Sequence, residues 1–306
     1  MRHTYYQGFS KIRQVMTNLT REPYAAGKFY PAEEKELEHL FSHLIQREKS
    51  HINYKLADNQ IIGAVLPHAG YIYSGYQAIH FFEIASLSEQ NYDVFIIIHP
   101  IHRGLDYDYA TDEYQKWTTP LGDMEIDRAF SDAMNIPRSA SFHANEHSCE
   151  VMLPFIRKYF PYVTRFVPIG IGNQDPGVAR EIAGKITEAA AMTGKRVCVI
   201  ASSDFSHYVS PDYGRKMDQK VINRILDFDT RGVYDEVMKN DITVCGYGPV
   251  MTLMEYSLMN FSGIKAEVIA RGHSGEVYPS SRVVDYVSIL FYLEKKQSDH
   301  ENQYRI

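Results

Sequence analysis

The stretch Ile61-Ile62-Gly63-Ala64-Val65-Leu66-Pro67-His68-Ala69-Gly70-Tyr71 decides the fold. Its first six residues form an apolar run without polar alternation. That pattern predicts a strand buried on both faces, because a strand with one wet face alternates apolar and polar residues. Working outward, Val-Phe-Ile-Ile-Ile over 94–98 and Val-Cys-Val-Ile-Ala over 197–201 predict two more such strands, and residues 163–169 a further one. Between the first two, residues 76–85 have helical apolar spacing. Asp175 before Pro176 predicts an N-cap with proline at the first helical position, opening a helix over 176–191. Further helices are predicted over 212–227 and 233–239, a helical stretch over 250–258, and closing strands over 266–270 and 283–292. Strand and helix alternating at this rhythm give the α/β class: a single domain with a largely parallel or mixed central sheet and helices on both faces.

Composition narrows the function classes. The 306 residues are 44% hydrophobic and 23% charged, which is ordinary globular usage, with a net charge of −6. A mildly acidic chain without a basic block is poorly suited to nucleic acid or an anionic membrane. No apolar run approaches the roughly 18 residues of a membrane span. The first twenty residues show no continuous apolar core of a secretory signal. Cys149, Cys198 and Cys245 are too few and too widely spaced for a disulfide framework, which points to a reducing, cytoplasmic setting. No repeat or linker divides the chain, so the expected organisation is an N-terminal arm over 1–20, one domain over 21–294 and a polar tail over 295–306. Residues 107–126 read as an excursion from the sheet, with a small hairpin near 114–117.

Three predicted strands end in groups capable of chemistry: Pro67-His68-Ala69-Gly70-Tyr71, then His99-Pro100-Ile101-His102-Arg103-Gly104, then Ser202-Ser203-Asp204-Phe205-Ser206-His207. Ligands bind beyond the carboxyl ends of parallel strands, where loops converge. His68 and His102 are 34 residues apart, about one βαβ unit, whose strands are often neighbours. Their imidazoles are therefore expected to meet. Cys245, flanked by glycine and preceding a helical stretch, has a helix N-terminus to lower its thiol pKa, against the ordinary fate of a buried apolar thiol. Cys198 lies inside a strand and reads as such a thiol. His80 reads as packed in a helix, His99 as a hydrogen-bonded cap, and His39, His43 and His51 as surface. His143-Ala144-Asn145-Glu146-His147 matches the H-x-x-E-H zinc-peptidase pattern, but residues 137–142 read as a loop and a helix as starting near His147, so the pattern is discounted. The glycines from Gly170 to Gly177 lack dinucleotide-loop spacing. Tyr71, Tyr73, Tyr76, Tyr107 and Tyr109 flank the cleft-forming segments, and ordinary packing accounts for most of them.

These motifs together resemble the Memo family, also named AmmeMemoRadiSam system protein B. The resemblance rests on the segment from Arg21 to Pro31, on Pro67 to Tyr71 with Tyr73-Ser74-Gly75, on Glu146-His147-Ser148 with Glu150 and Leu153-Pro154-Phe155, on Ser202 to His207, and on Val244-Cys245-Gly246. It implies a fold similar to the class III extradiol dioxygenases. It also implies a metal site of two histidines and a cysteine, falling on His68, His102 and Cys245, for copper or non-haem iron, with zinc possible. Asp204 and His207 are implied beside the metal, His207 exchanging protons and Asp204 orienting it. Arg103, His147 and Tyr71 are expected around the cleft. Where the family often has G-P-x-H-H, this chain has His99-Pro100-Ile101-His102-Arg103, which makes the expected site more cationic. The implied functions are a redox-active or dioxygenase-related metal protein. Alternatives are a non-enzymatic module holding a small molecule or peptide in the same cleft, or a component acting with radical-SAM and AMMECR-like proteins.

Overall fold

The computed structural model describes residues 19–103 and 106–295, so most of the expected arm and all but the first residue of the expected tail lie outside the described residues. The strands are β1 (Thr20–Arg21), β2 (Gln60–Leu66), β3 (Val94–Pro100), β4 (Tyr109–Ala110), β5 (Lys116–Trp117), β6 (Met124–Ile126), β7 (Arg165–Ile171), β8 (Val197–Ser202), β9 (His207–Val209), β10 (Lys265–His273) and β11 (Val283–Leu293). The helices are α1 (Glu34–Glu48), α2 (Tyr71–Leu87), α3 (Arg128–Met134), α4 (Ala140–Ala144), α5 (Leu153–Tyr159), α6 (Pro176–Thr193), α7 (Pro211–Leu226), α8 (Thr230–Asn240) and α9 (Tyr247–Asn260). The Asp175 side chain accepts from the Gly177 N–H at 2.7 Å, the cap expected ahead of Pro176.

The strands form one mixed sheet in the order β1-β5-β6-β7-β3-β8-β2-β11-β10. From β6 to β2 all neighbours are parallel, and β11 and β10 close one side antiparallel. The pleat sorts each central strand between two cores. Phe95 and Ile97, with Cys198 and Ile200, face α1, α2 and α5. Val94, Ile96 and Ile98, with Val199 and Ala201, face α3 and the helices from α6 to α9. Burial on both faces explains the unbroken apolar runs of the sequence.

One expectation is corrected. The strands carrying His68 and His102 are not neighbours, because β8 pairs with β2 on one side and β3 on the other. The β2–α2–β3 crossover steps over one strand position, and a later strand fills it. As a result β8 delivers Ser202, Ser203 and Asp204 between the two histidines. Two local expectations also change. The segment around His39 and His43, read only as surface, forms α1, whose Leu37, Phe41 and Leu44 are buried at helical spacing. Part of the loop expected over 137–142 is α4, which ends at Ala144 and leaves His143 and His147 on different segments.

Candidate metal centre

The ends of β2, β3 and β8 and the start of α9 converge at the floor of a cleft of about 630 Å³, lined by residues that include Phe29, His68, Tyr73, His102, His147, Asp204, His207, Tyr278 and Tyr286. The candidate ligand atoms of His68, His102 and Cys245 all lie within 4.8 Å of one another. Cys245 reaches this point because Gly246 follows it. A Cβ on Gly246 would sit 2.3 Å from the Ser202 carbonyl oxygen, so only glycine lets the chain lie so close to the end of β8. The Gly246 N–H donates to Ser203 Oγ at 3.0 Å, and the Cys245 N–H to the Asp204 carbonyl at 3.2 Å.

His68 is buried, and its Nε2 lies 3.2 Å from Cys245 Sγ. Burial, followed by the neighbouring His147 and His102 imidazoles, holds its pKa well below the ordinary value, so the ring is neutral with a lone pair to offer. Its backbone N–H donates to Asp204 Oδ1 at 2.8 Å. Burial pushes the Asp204 carboxyl up to about 6, against the pull of His207 and of the His68 and Ala69 amides. The expectation of a depressed Cys245 thiol is corrected: burial, then the charge of Asp204, push it well up. Burial of the sulfur outweighs the helix N-terminus.

His102 is anchored by Glu146. Its backbone N–H donates to Oε2 at 2.8 Å and its Nδ1 to Oε1 at 3.0 Å. Burial pulls His102 down, but the hydrogen bond and charge of Glu146 outweigh it and leave the pKa raised. Glu146 Oε1 also accepts the His147 and Ser148 amides at 2.9 and 3.0 Å. His147 is stacked between Phe29 and His102, with centroids 4.3 and 4.9 Å away, and burial pushes it down to about 4. His102, Glu146 and His147 form a second close cluster. Its carboxylate is already engaged by four donors, so the cluster reads as an anchor for the rings. Reading the residues from sequence missed Glu146 as a site group. Its signal lay inside the discounted H-x-x-E-H pattern.

His207 lines the cleft, but its orientation comes from Thr243 where Asp204 was expected to supply it. Its Nδ1 donates to the Thr243 carbonyl at 2.7 Å and its N–H to Thr243 Oγ1 at 2.7 Å. Asp204 faces the His68 and Ala69 amides instead. Tyr71 is also corrected. It opens α2 with its ring turned into the core against Phe155 and Phe41, and its hydroxyl donates to the Val151 carbonyl at 2.6 Å. Tyr73 takes the cleft position. Arg103 is exposed, and its charge lowers both His102 and His147.

Behind β9 lies a buried carboxyl pair. Asp218 of α7 accepts from the Ser206 hydroxyl at 2.6 Å and faces Asp285 of β11, with Arg271 of β10 3.9 Å from its outer oxygen and Arg215 nearby. Gly214 makes the room: a Cβ there would stand 2.2 Å from Asp285 Oδ2. Burial, then the hydrogen bond and charge of Asp218, push Asp285 up to about 8. A carboxyl with a raised folded pKa binds its proton more tightly in the folded chain. Its stabilising contribution is complete below the ordinary carboxylate range and is lost as pH rises through about 8. Asp285→Asn is therefore expected to gain stability relative to wild type across that window and to level off above it. Urea midpoints on either side of the window check this, and a difference independent of pH would contradict it.

A mixed α/β sheet with two imidazoles, a thiol and a buried carboxyl gathered at its carboxyl edge defines a class of protein with a potential metal site at the strand ends. The particular family follows from comparison with known proteins. The family profile described as Memo-like protein matches residues 21–290, and the chain belongs to the Memo family. A MEMO1 family protein of Desulfurococcus amylolyticus is 39% identical over 283 residues, covering 89% of this chain and 99% of that protein. Those of Archaeoglobus fulgidus and Methanosarcina acetivorans are 37% and 35% identical, covering 89% and 88% of this chain and 99% and 98% of theirs. No helix among the described residues is long and apolar enough to cross a membrane.

Proposed function

We propose that this protein binds one metal ion through His68, His102 and Cys245 and uses it in redox or dioxygenase-related chemistry on a small molecule held in the cleft. The observation that carries the reading is the convergence of three donor atoms, all within 4.8 Å of one another, at the end of the sheet where loops meet. The donor set fits a metal. Ligand bonds of about 2.0–2.3 Å place donors roughly 3.3–4 Å apart, so the cluster needs only a small closure. Two imidazoles and a thiolate suit copper or iron, and zinc also accepts them. When bound, such an ion would polarise an oxygen donor of the substrate or exchange an electron with it.

The chain's own groups supply the rest. In its neutral form His207 carries its proton on Nδ1, where the Thr243 carbonyl accepts it, leaving Nε2 as a base at the cleft wall. Asp204, buried beside the ligands and raised to about 6, is mainly ionised at neutral pH and is suited to accept a proton there. Phe29, Tyr73, Tyr278 and Tyr286 give the cleft aromatic walls suited to an apolar guest. A peptide or other partner in the same cleft is the second reading, and the charge of Arg103 beside His102 and His147 favours an anionic group on it.

The test is metal content after anaerobic purification without chelators, followed by titration with copper(I), iron(II) and zinc. Wild type is expected to hold one equivalent, and His68→Ala and His102→Ala to hold much less. Equal stoichiometry in all three proteins would remove both imidazoles from the site.

A further inference from the structure

A histidine offers a metal one of two nitrogens, and the partner of the other nitrogen decides which. His68 Nδ1 lies 2.8 Å from Ser202 Oγ, and that hydroxyl donates to the Ser148 carbonyl oxygen at 2.7 Å. A hydroxyl has one proton, and a carbonyl can only accept. With its proton committed to Ser148, Ser202 can only accept from His68, which fixes the His68 proton on Nδ1 and leaves the Nε2 lone pair facing Cys245. Ser148 is itself pinned to the end of β3, because its hydroxyl donates to the Pro100 carbonyl at 3.0 Å. Its N–H donates to Glu146 Oε1, the oxygen that also accepts His102 Nδ1. One residue, Ser148, thus braces the His68 arm through its carbonyl oxygen and the His102 arm through its N–H.

We propose that Ser202 is a positioning residue that sets His68 as the Nδ1–H tautomer, and that the backbone of Ser148 ties this arm to the His102 arm, so that both rings present Nε2 to the cleft. The purpose of the brace rests on the metal-centre reading above, whereas the tautomer is a property of the metal-free chain. Ser202 and Ser148 are fully buried, so water does not compete for these bonds.

The experiment compares Ser202→Thr with Ser202→Val, side chains of matched shape of which only threonine keeps the hydroxyl. Nitrogen-15 correlation spectra of the metal-free protein report which ring nitrogen of His68 carries the proton. Wild type and Ser202→Thr are expected to show Nδ1–H alone, and Ser202→Val a mixture or the other tautomer. Copper(I) affinity, measured by competition with a chromogenic chelator, is expected to fall about 10- to 100-fold in Ser202→Val relative to Ser202→Thr. An unchanged tautomer in Ser202→Val, or equal affinity in the pair, overturns the proposal. If the valine variant does not fold, Ser202→Ala is read by the same two measurements. A wild-type protein that shows Nδ1–H and takes up no metal would defeat the metal-centre reading while leaving the tautomer assignment standing.

Discussion

Cys245→Ser is expected to weaken copper(I) or zinc binding by about two to three orders of magnitude. Structural sites with four protein ligands bind with roughly 10–16 kcal/mol, so each ligand contributes about 2.5–4 kcal/mol. At about 1.4 kcal/mol per tenfold, that share corresponds to roughly 10²- to 10³-fold in affinity. A serine hydroxyl is not ionised at neutral pH and is a poor ligand for a soft metal, so little of the share is retained. The fold is expected to tolerate the change. Cys245 Sγ accepts the Asp204 N–H at 3.2 Å, a bond that a serine oxygen can also accept, and the glycine that permits the close approach is untouched. Chelator competition gives the affinity, and circular dichroism shows that the variant is folded. A loss of less than tenfold in a folded variant would place the sulfur outside the coordination sphere.

How far the sequence carried the reading depends on whether a feature is local. The run ending in Pro67-His68, the strand at Val94–Pro100 and the helix behind Asp175 are written in contiguous residues, and the structure has them within a few positions. The meeting of His68 and His102 was legible because strand ends share one edge, whereas Cys245 joined them only through the resemblance to the Memo family. Strand order was not, since no residue in β2 or β3 records that β8 enters between them. The α1 helix was hidden by its many charges, although Leu37, Phe41 and Leu44 carried the helical period. Tyr71 shows the limit of motif adjacency. Three residues after a cleft histidine it already opens a helix, and its rotation sends the ring into the core. Glu146 and Thr243 anchor the site through hydrogen bonds across 44 and 36 residues of sequence, a link that spacing alone does not reveal.

The same long-range logic gives the largest expected effect on stability, at Arg21. Its side chain is buried against Glu150 with Nη1 2.6 Å from Oε2, and its guanidinium lies 3.9 Å over the Trp117 ring. Nε donates to the His143 carbonyl at 3.0 Å and Nη2 to the Glu146 carbonyl at 2.7 Å, so Arg21 also fixes the segment that carries the anchor of His102. Glu150 accepts from Tyr24 and Ala25 amides and the Tyr30 hydroxyl as well. Arg21→Met fills much of the volume but leaves a buried carboxylate without its cation, which costs about 3–5 kcal/mol. For a domain of this size that is roughly a 10 °C fall in melting temperature. The ion pair by itself is weak grounds for stability, because burying two charges costs about what their attraction returns. The large effect comes from breaking it on one side. Arg21→Met with Glu150→Gln is therefore expected to recover part of the loss, since the amide oxygen still accepts from Ala25 and Tyr30 without needing a cation, while its NH2 gives up the bond from Tyr24. Calorimetry on wild type, the single variant and the double variant measures this. A double variant no more stable than Arg21→Met would show that the lost carbonyl contacts to His143 and Glu146, and not the stranded charge, dominate.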